Sequence, residues 1–173
     1  LLRSATGEPG CVTLIAESRM LYCTGVDATT AIEGFPFTGV TDLSAIYCEE
    51  HAAPTIRNCV FRENHAHANG WAGGATCLES SPVFEHCLFE ANTSWMMNVG
   101  GIFLWHCSAT VTHCTFRHNS GDAVMCGSGS LRMEHATFVS SSNWANRLFL
   151  GWGATAWIDN CIFAYNYEAV YCY

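Results

Sequence analysis

Lysine is absent from this chain. Its entire positive charge is seven Arg, set against fifteen acidic residues, for a formal net charge of −8 over 173 residues. Nucleic acids and anionic membranes are held by clustered cationic side chains that neutralise phosphate. No such cluster exists here, so neither is an expected partner. Charge of either sign is scarce: 13% of residues are charged and 50% are hydrophobic, which excludes disorder and supplies one domain with a sizeable core. Long apolar runs are missing as well. None reaches the ~18 residues that a membrane-crossing helix needs, and membrane insertion is not expected. A starting Met and a secretory leader are lacking too. The chain opens on Leu1-Leu2-Arg3 and reads as one β-domain over residues 1–173, part of a longer chain or of an end-to-end assembly.

Cysteine, by contrast, is abundant. Eleven is an odd number, so at least one thiol lacks an intramolecular partner. The count by itself points to a secreted disulfide scaffold; the positions point elsewhere, because they follow a repeat. Six segments align without gaps: IEGFPFTGV from Ile32, IRNCVFREN from Ile56, FEHCLFEAN from Phe84, VTHCTFRHN from Val111, MEHATFVSS from Met133 and IDNCIFAYN from Ile158. Their starts lie 24, 28, 27, 22 and 25 residues apart. A second block precedes each, of the kind Leu21-Tyr22-Cys23 or Ile46-Tyr47-Cys48, and a seventh copy, Val170-Tyr171-Cys172, ends the chain.

Phe37, Phe61, Phe89, Phe116, Phe138 and Phe163 share one column of this alignment. Two residues earlier stand Phe35, Cys59, Cys87, Cys114, Ala136 and Cys161. Period-two alternation inside short blocks is the signature of strands, and a period of 22–28 residues suits a coil of three short strands. The expected fold is therefore an all-β, right-handed parallel β-helix of about seven coils, with the Phe column and Cys59, Cys87, Cys114 and Cys161 as its structural core. At the bend before each Cys or its equivalent stand Gly34, Asn58, His86, His113, His135 and Asn160. Stacked polar side chains there are expected to hydrogen-bond and to satisfy backbone groups that the bend leaves free.

The pairing of FREN, FEAN, FRHN and FAYN with a following GGAT (Gly73 to Thr76) or GGIF (Gly100 to Phe103) resembles the FxxN and GGA-type repeats of polymorphic outer-membrane adhesins. More broadly it resembles the pectin-lyase-like, right-handed β-helix proteins of bacterial surfaces. The resemblance covers about residues 20–173 and implies an extracellular or cell-surface location. The fifth coil departs from the pattern, with Ala136 in place of Cys and Ser141 in place of Asn.

Cys interchanges with Leu, Phe and Ala, so thiol stacks are the leading reading, with some disulfides or a metal as the others; no Cys-x-x-Cys pair exists. His86, His113 and His135 could hold Zn or Cu, but Asn replaces His at both ends of their column. No metal or other cofactor is expected. Members of the resembled class that cleave polysaccharides imply an Asp cluster with a basic residue, or two carboxylates flanking the bond. Here Asp27, Asp42, Asp122 and Asp159 are scattered, and the column Glu33, Glu85, Glu134, Asp159 is interrupted by Arg57 and Thr112. Catalysis is not expected, and no catalytic residue is assigned. The outer column of the first strands is aromatic at Tyr22, Tyr47, Phe103, Phe149 and Tyr171, and Trp71, Trp95 and Trp144 lie in the adjoining loops. An exposed aromatic stripe marks an interaction surface. These eight residues form the expected binding face, for another copy of the chain (head to tail or side by side), a surface protein or a glycan. The expected function is a non-catalytic structural or adhesion module that can assemble into filaments; the alternative is a polysaccharide-binding or polysaccharide-cleaving protein.

Overall fold

The computed structural model describes residues 2–3, 14–15, 18–67, 70–140, 146–166 and 168–173. Three parallel sheets of seven strands each run the length of a rod. The first stacks Leu21–Thr24, Ile46–Glu49, Ala75–Leu78, Val99–Trp105, Asp122–Cys126, Arg147–Leu150 and Val170–Cys172. The second stacks Leu2–Arg3, Ala31–Glu33, Thr55–Arg57, Val83–Glu85, Cys107–Thr112, Gly129–Glu134 and Thr155–Asp159. The third stacks Leu14–Ile15, Pro36–Thr38, Val60–Arg62, Leu88–Glu90, Thr115–Arg117, Thr137–Val139 and Ile162–Ala164. The chain visits the sheets in rotation, so each coil is one circuit around a shared core.

Parallel strands in register place like residues on like. Phe37, Phe61, Phe89, Phe116 and Phe138 are fully buried. Their rings stack face to face along the axis, with centroids 4.5–4.9 Å apart and planes within 13° once Phe163 is included. That spacing is the strand-to-strand distance itself. Beside the rings runs a second file, of asparagines. Asn64, Asn92, Asn119 and Asn146 donate through Nδ2 to the carbonyls of Phe37, Phe61, Phe89 and Phe116, each one coil back. Asn64 and Asn92 also donate to the Oδ1 of the asparagine in the next coil, at 3.0 and 3.1 Å. The fifth coil is therefore not a departure: Asn146, further along its loop, takes the place in the ladder that the FxxN spacing assigned to Ser141, which lies outside the described residues.

Glycine pairs complete the device for steric reasons. A Cβ on Gly74 would stand 2.6 Å from Gly101 O and 2.8 Å from the Phe89 ring, and one on Gly100 would stand 2.6 Å from Asn119 Cβ. Phe, Asn and Gly-Gly are thus three parts of one packing unit.

The bends show a different logic from the one expected. Gly34, Asn58, His86, His113, His135 and Asn160 all have positive φ, between 51° and 75°. Gly, Asn and His are the residue types that enter the left-handed region most readily, so conformation, and not hydrogen bonding at the bend, accounts for the column. The other two corners turn the same way, at Glu63, Ala91, His118 and Tyr165 after the third sheet, and at Glu50, Glu79, His106 and Trp152 after the first. Each coil is a polygon whose corners are made largely by single left-handed residues.

Phe89→Ala is expected to destabilise the fold by about 3–5 kcal/mol, the range for emptying a large core site, and a melting temperature within a few degrees of the parent would contradict the packing described. Ala91→Gly should act the other way. Left-handed strain of about 1–2 kcal/mol for a non-glycine residue is relieved, against an unfolded-state entropy term of about 0.4–1 kcal/mol. A small rise in denaturant midpoint is the expected result.

Candidate binding surfaces

The thiols bear on both metal and disulfide chemistry. Ten described cysteines carry free thiols. Cys59, Cys87, Cys114 and Cys161 sit just before the third-sheet strands rather than within them, next to the left-handed residue. Each donates to the carbonyl two residues back, Arg57, Glu85, Thr112 and Asp159, at 3.2–3.3 Å. Each also approaches the carbonyl of the coil before: Ile32, Ile56, Phe84 and Met133. Cysteine suits this corner because it is small and apolar yet carries a weak donor. Cys23, Cys48 and Cys77 stand in register on the first sheet. Burial pushes the thiols of Cys77, Cys87 and Cys107 upward, and that of Cys126 up to about 11.

The histidine column does stack: His86, His113 and His135 have centroids 4.7 Å apart at both steps. Face-to-face imidazoles hold their in-plane lone pairs side by side, whereas a metal needs them to converge. Cys48 and His51, spaced as Cys-x-x-His, cannot share a metal either, the thiol being buried and the imidazole exposed. Among the described residues no group of three or more His, Cys, Asp or Glu could hold a metal ion.

The carboxylate column is distributed along the second sheet in the register Glu33, Arg57, Glu85, Thr112, Glu134, Asp159. Glu33 is buried and paired with Arg57 at 3.0 Å; Glu134 is held by Arg132 at 2.5 Å. Glu85 and Glu134 are two strands apart, about 9.6 Å at normal strand spacing. Asp122 opens the Asp122–Cys126 strand, in the interior of the first sheet, and forms an ion pair with Arg147 at 2.5 Å; Arg147 also reaches Glu168. Two close hydroxyl–imidazole contacts, Ser128 Oγ with His106 Nδ1 at 2.8 Å and Thr93 Oγ1 with His65 Nδ1 at 2.9 Å, both lie at exposed positions.

The outer face of the first sheet differs from expectation at its centre. Tyr22 and Tyr171 are exposed, and Tyr47 and Phe149 are half-buried, but Phe103 is 1% exposed and its neighbours Thr76 and Met125 are buried as well. The aromatic stripe is thus not one continuous open surface. The reason lies in the two longest connections from the third sheet back to the first, Phe61 to Ala75 and Phe89 to Ile102. They pair with each other through His65–Ala66 and Thr93–Ser94 and fold back over the sheet. Trp71 stands edge-on against Phe103 at 4.9 Å and 90°, and with Met97, Trp105 and Phe149 it packs on a second small core of Ala72, Val99, Phe103 and Met125. Trp95 remains 78% exposed, with His67 stacked on it at 4.6 Å. Trp144 lies outside the described residues.

What this covering creates is a cleft of about 190 Å³ lined by Trp71, Met96, Met97, Phe103 and Trp105. Trp105 lies parallel to Phe103, within 5°, because Gly127 leaves room: a Cβ there would stand 2.3 Å from the indole. Sequence reasoning named Trp71 and Phe103 but passed over Met96, Met97 and Trp105. The outward column containing Leu78 and Trp105 also holds Glu49 and Gly127, and so has no common chemistry to recognise.

A second, shallower groove of about 460 Å³ crosses the longest strands of the second sheet. Ser108, Thr110, Ser130, Arg132, Thr155 and Trp157 line it. Arg132 and Trp157 are in-register neighbours, and Trp157 is 67% exposed. This groove went unread for the same reason.

The coil geometry defines a class of protein, and the sequence agrees: residues 24–146, more than half of the chain, match the family described as right handed beta helix region, and the chain belongs to it. Comparison with curated proteins and with solved structures finds no match.

Alkylation of the native chain at mild alkaline pH, followed by peptide mapping, should label exposed Cys172 well before Cys59, Cys87 and Cys114. After denaturation without reductant, all of these should react. Disulfide-linked peptides joining Cys59 to Cys87 would contradict the thiol arrangement.

Proposed function

We propose that this chain is a non-catalytic, extracellular β-solenoid that serves as a structural or adhesion module, holding a protein partner through the aromatic cleft of its first sheet. The observation that carries the reading is the chemistry of that cleft. All five lining side chains are apolar or aromatic, and no hydroxyl, carboxamide or charged side chain is among them. A glycan site fixes hydroxyls with placed polar groups, whereas an aromatic- and methionine-lined pocket suits one large apolar side chain of a protein surface. The floor is a rigid sheet, so little ordering entropy is lost on contact. Exposed Met96 is one of the lining residues, and its chain neighbour Trp95 is exposed as well. The extracellular setting rests on the resemblance of the repeats to surface β-helix proteins.

A second reading, polysaccharide binding or cleavage, is favoured by the other groove. There the hydroxyls of Ser108, Thr110, Ser130 and Thr155 surround Arg132 and the open ring of Trp157. Turnover of an acidic polysaccharide that is lost in Glu85→Gln and Glu134→Gln would support it.

Beads carrying the chain are expected to adhere to surfaces coated with extracellular protein. Trp95→Ser combined with Met96→Ser should remove most of that adhesion and leave the melting temperature nearly unchanged, since exposed substitutions of this kind shift stability by about 0.5 kcal/mol or less. Undiminished adhesion by the variant, or adhesion to a glycan array alone, would overturn the primary reading.

A further inference from the structure

Sulfur is the side-chain atom most readily oxidised by peroxides, and the fold hides most of the sulfur in this chain. Cys48, Cys59, Cys77, Cys87, Cys107, Cys114 and Cys126 are buried along the rod; Cys161 and Cys172 are more open. Peroxides attack the thiolate and not the thiol, and burial pushes the thiols of Cys77, Cys87 and Cys107 upward, away from that form. Methionine has no proton to lose, so access to its sulfur governs its oxidation. Met133 and Met125 are buried, and Met20 is half-buried against the main core. Met97 is half-buried on the second small core. Of the five methionines only Met96 is exposed, at 57%.

That one open thioether stands at a sensitive place. Met96 and Met97 lie in the bend between Thr93–Ser94 and the Val99–Trp105 strand, and Asn98 closes the bend at a φ of 54°. Both side chains line the cleft, with Trp71, Phe103 and Trp105 as the remaining wall. The backbone on either side is fixed to neighbouring coils: the Trp95 N–H donates to the Ala66 carbonyl, and the Asp122 N–H to that of Asn98. Ser94 Oγ adds a bond to the Gly70 carbonyl at 2.8 Å. A chemical change at Met96 therefore alters the cleft wall itself and is not absorbed by a yielding loop.

Oxidation of a thioether by hydrogen peroxide or an organic hydroperoxide balances without further reactants. A sulfur lone pair attacks one peroxide oxygen, the O–O bond breaks and an S–O bond forms. Sulfur gives up two electrons; the proton on the transferred oxygen passes to the departing one, which leaves as water or an alcohol. The product is a sulfoxide, polar and chiral where the thioether was apolar and flexible. A partner seated over the cleft strips water from that S–O dipole among apolar and aromatic walls, which is unfavourable. We propose that Met96 is a sulfoxidation site with peroxides as its oxidant class, and that its conversion releases the partner held in the cleft. The release rests on the proposed function; the modification site does not.

In the test, beads carrying the whole chain are treated with hydrogen peroxide, washed, and reduced with dithiothreitol to reverse thiol oxidation. They are then divided between peptide mass mapping and adhesion to the protein-coated surface. Met96 should gain one oxygen well before Met125 and Met133, and adhesion should fall about tenfold, the scale of one poorly paired polar group at a contact. Methionine sulfoxide reductase should reverse both changes. Each variant is read against its own untreated level: Met96→Leu, with no sulfur at that point of the wall, should lose nothing on treatment, and Met97→Leu should lose as much as the parent. Oxidation of Met125 or Met133 ahead of Met96 overturns the site. Undiminished adhesion by a chain fully converted at Met96, or an equal loss by treated Met96→Leu, overturns the release and leaves the proposed function standing. An untreated parent that fails to adhere overturns the proposed function and the release together, while the order of oxidation still decides the site.

Discussion

The stacking of one phenylalanine ring on the next is the interaction on which the remaining structure depends. Phe61 and Phe89 lie 4.5 Å apart and nearly parallel, which fixes the vertical step of the rod and the rotational phase of every coil. Once the rings are set, each asparagine of the file beside them reaches the phenylalanine carbonyl one coil back. Gly73-Gly74 and Gly100-Gly101 then have no space for a side chain. The same register puts Cys next to Cys and His above His. Much of the apparent chemistry of this sequence is a by-product of that alignment.

The parts of the fold that repeat in residue identity were legible in the sequence. The Phe column, the inward columns of the first strands and the three-strand coil follow from period and alternation, and the register of all three sheets follows those columns. Features that repeat in conformation and not in identity were hidden. Glu63, Ala91, His118 and Tyr165 share a left-handed backbone, yet have nothing in common as letters. Asn146 was missed because the ladder selects for a position in space, which a longer loop can supply from elsewhere.

The surfaces were harder still to read. Outward columns carry no packing constraint, so their composition drifts and periodicity gives no guide. Phe103 was assigned to the outer face correctly and to solvent incorrectly, because what covers it is contributed by irregular loops whose course depends on contacts such as Trp71 against Phe103. Met96, Met97, Trp105 and Trp157 gain significance only once those loops and the longer strands of the second sheet are in place. The candidate cleft is thus a tertiary property: the repeat supplies a flat floor, and the exceptions to the repeat build the walls.

The rotation of the chain through three sheets also determines how the rod would respond to tension. Bonds between coils run roughly along the axis, so a pull on the two termini does not load the whole ladder at once. It peels the terminal circuit while the others remain closed. Each circuit holds 22 to 28 residues and would release about 75–95 Å of extended chain. A rod that yields in successive lengths of this kind dissipates work over a long travel and can rewind onto the next intact ring. It would behave as an extensible tether, although its resting shape is that of a stiff spacer.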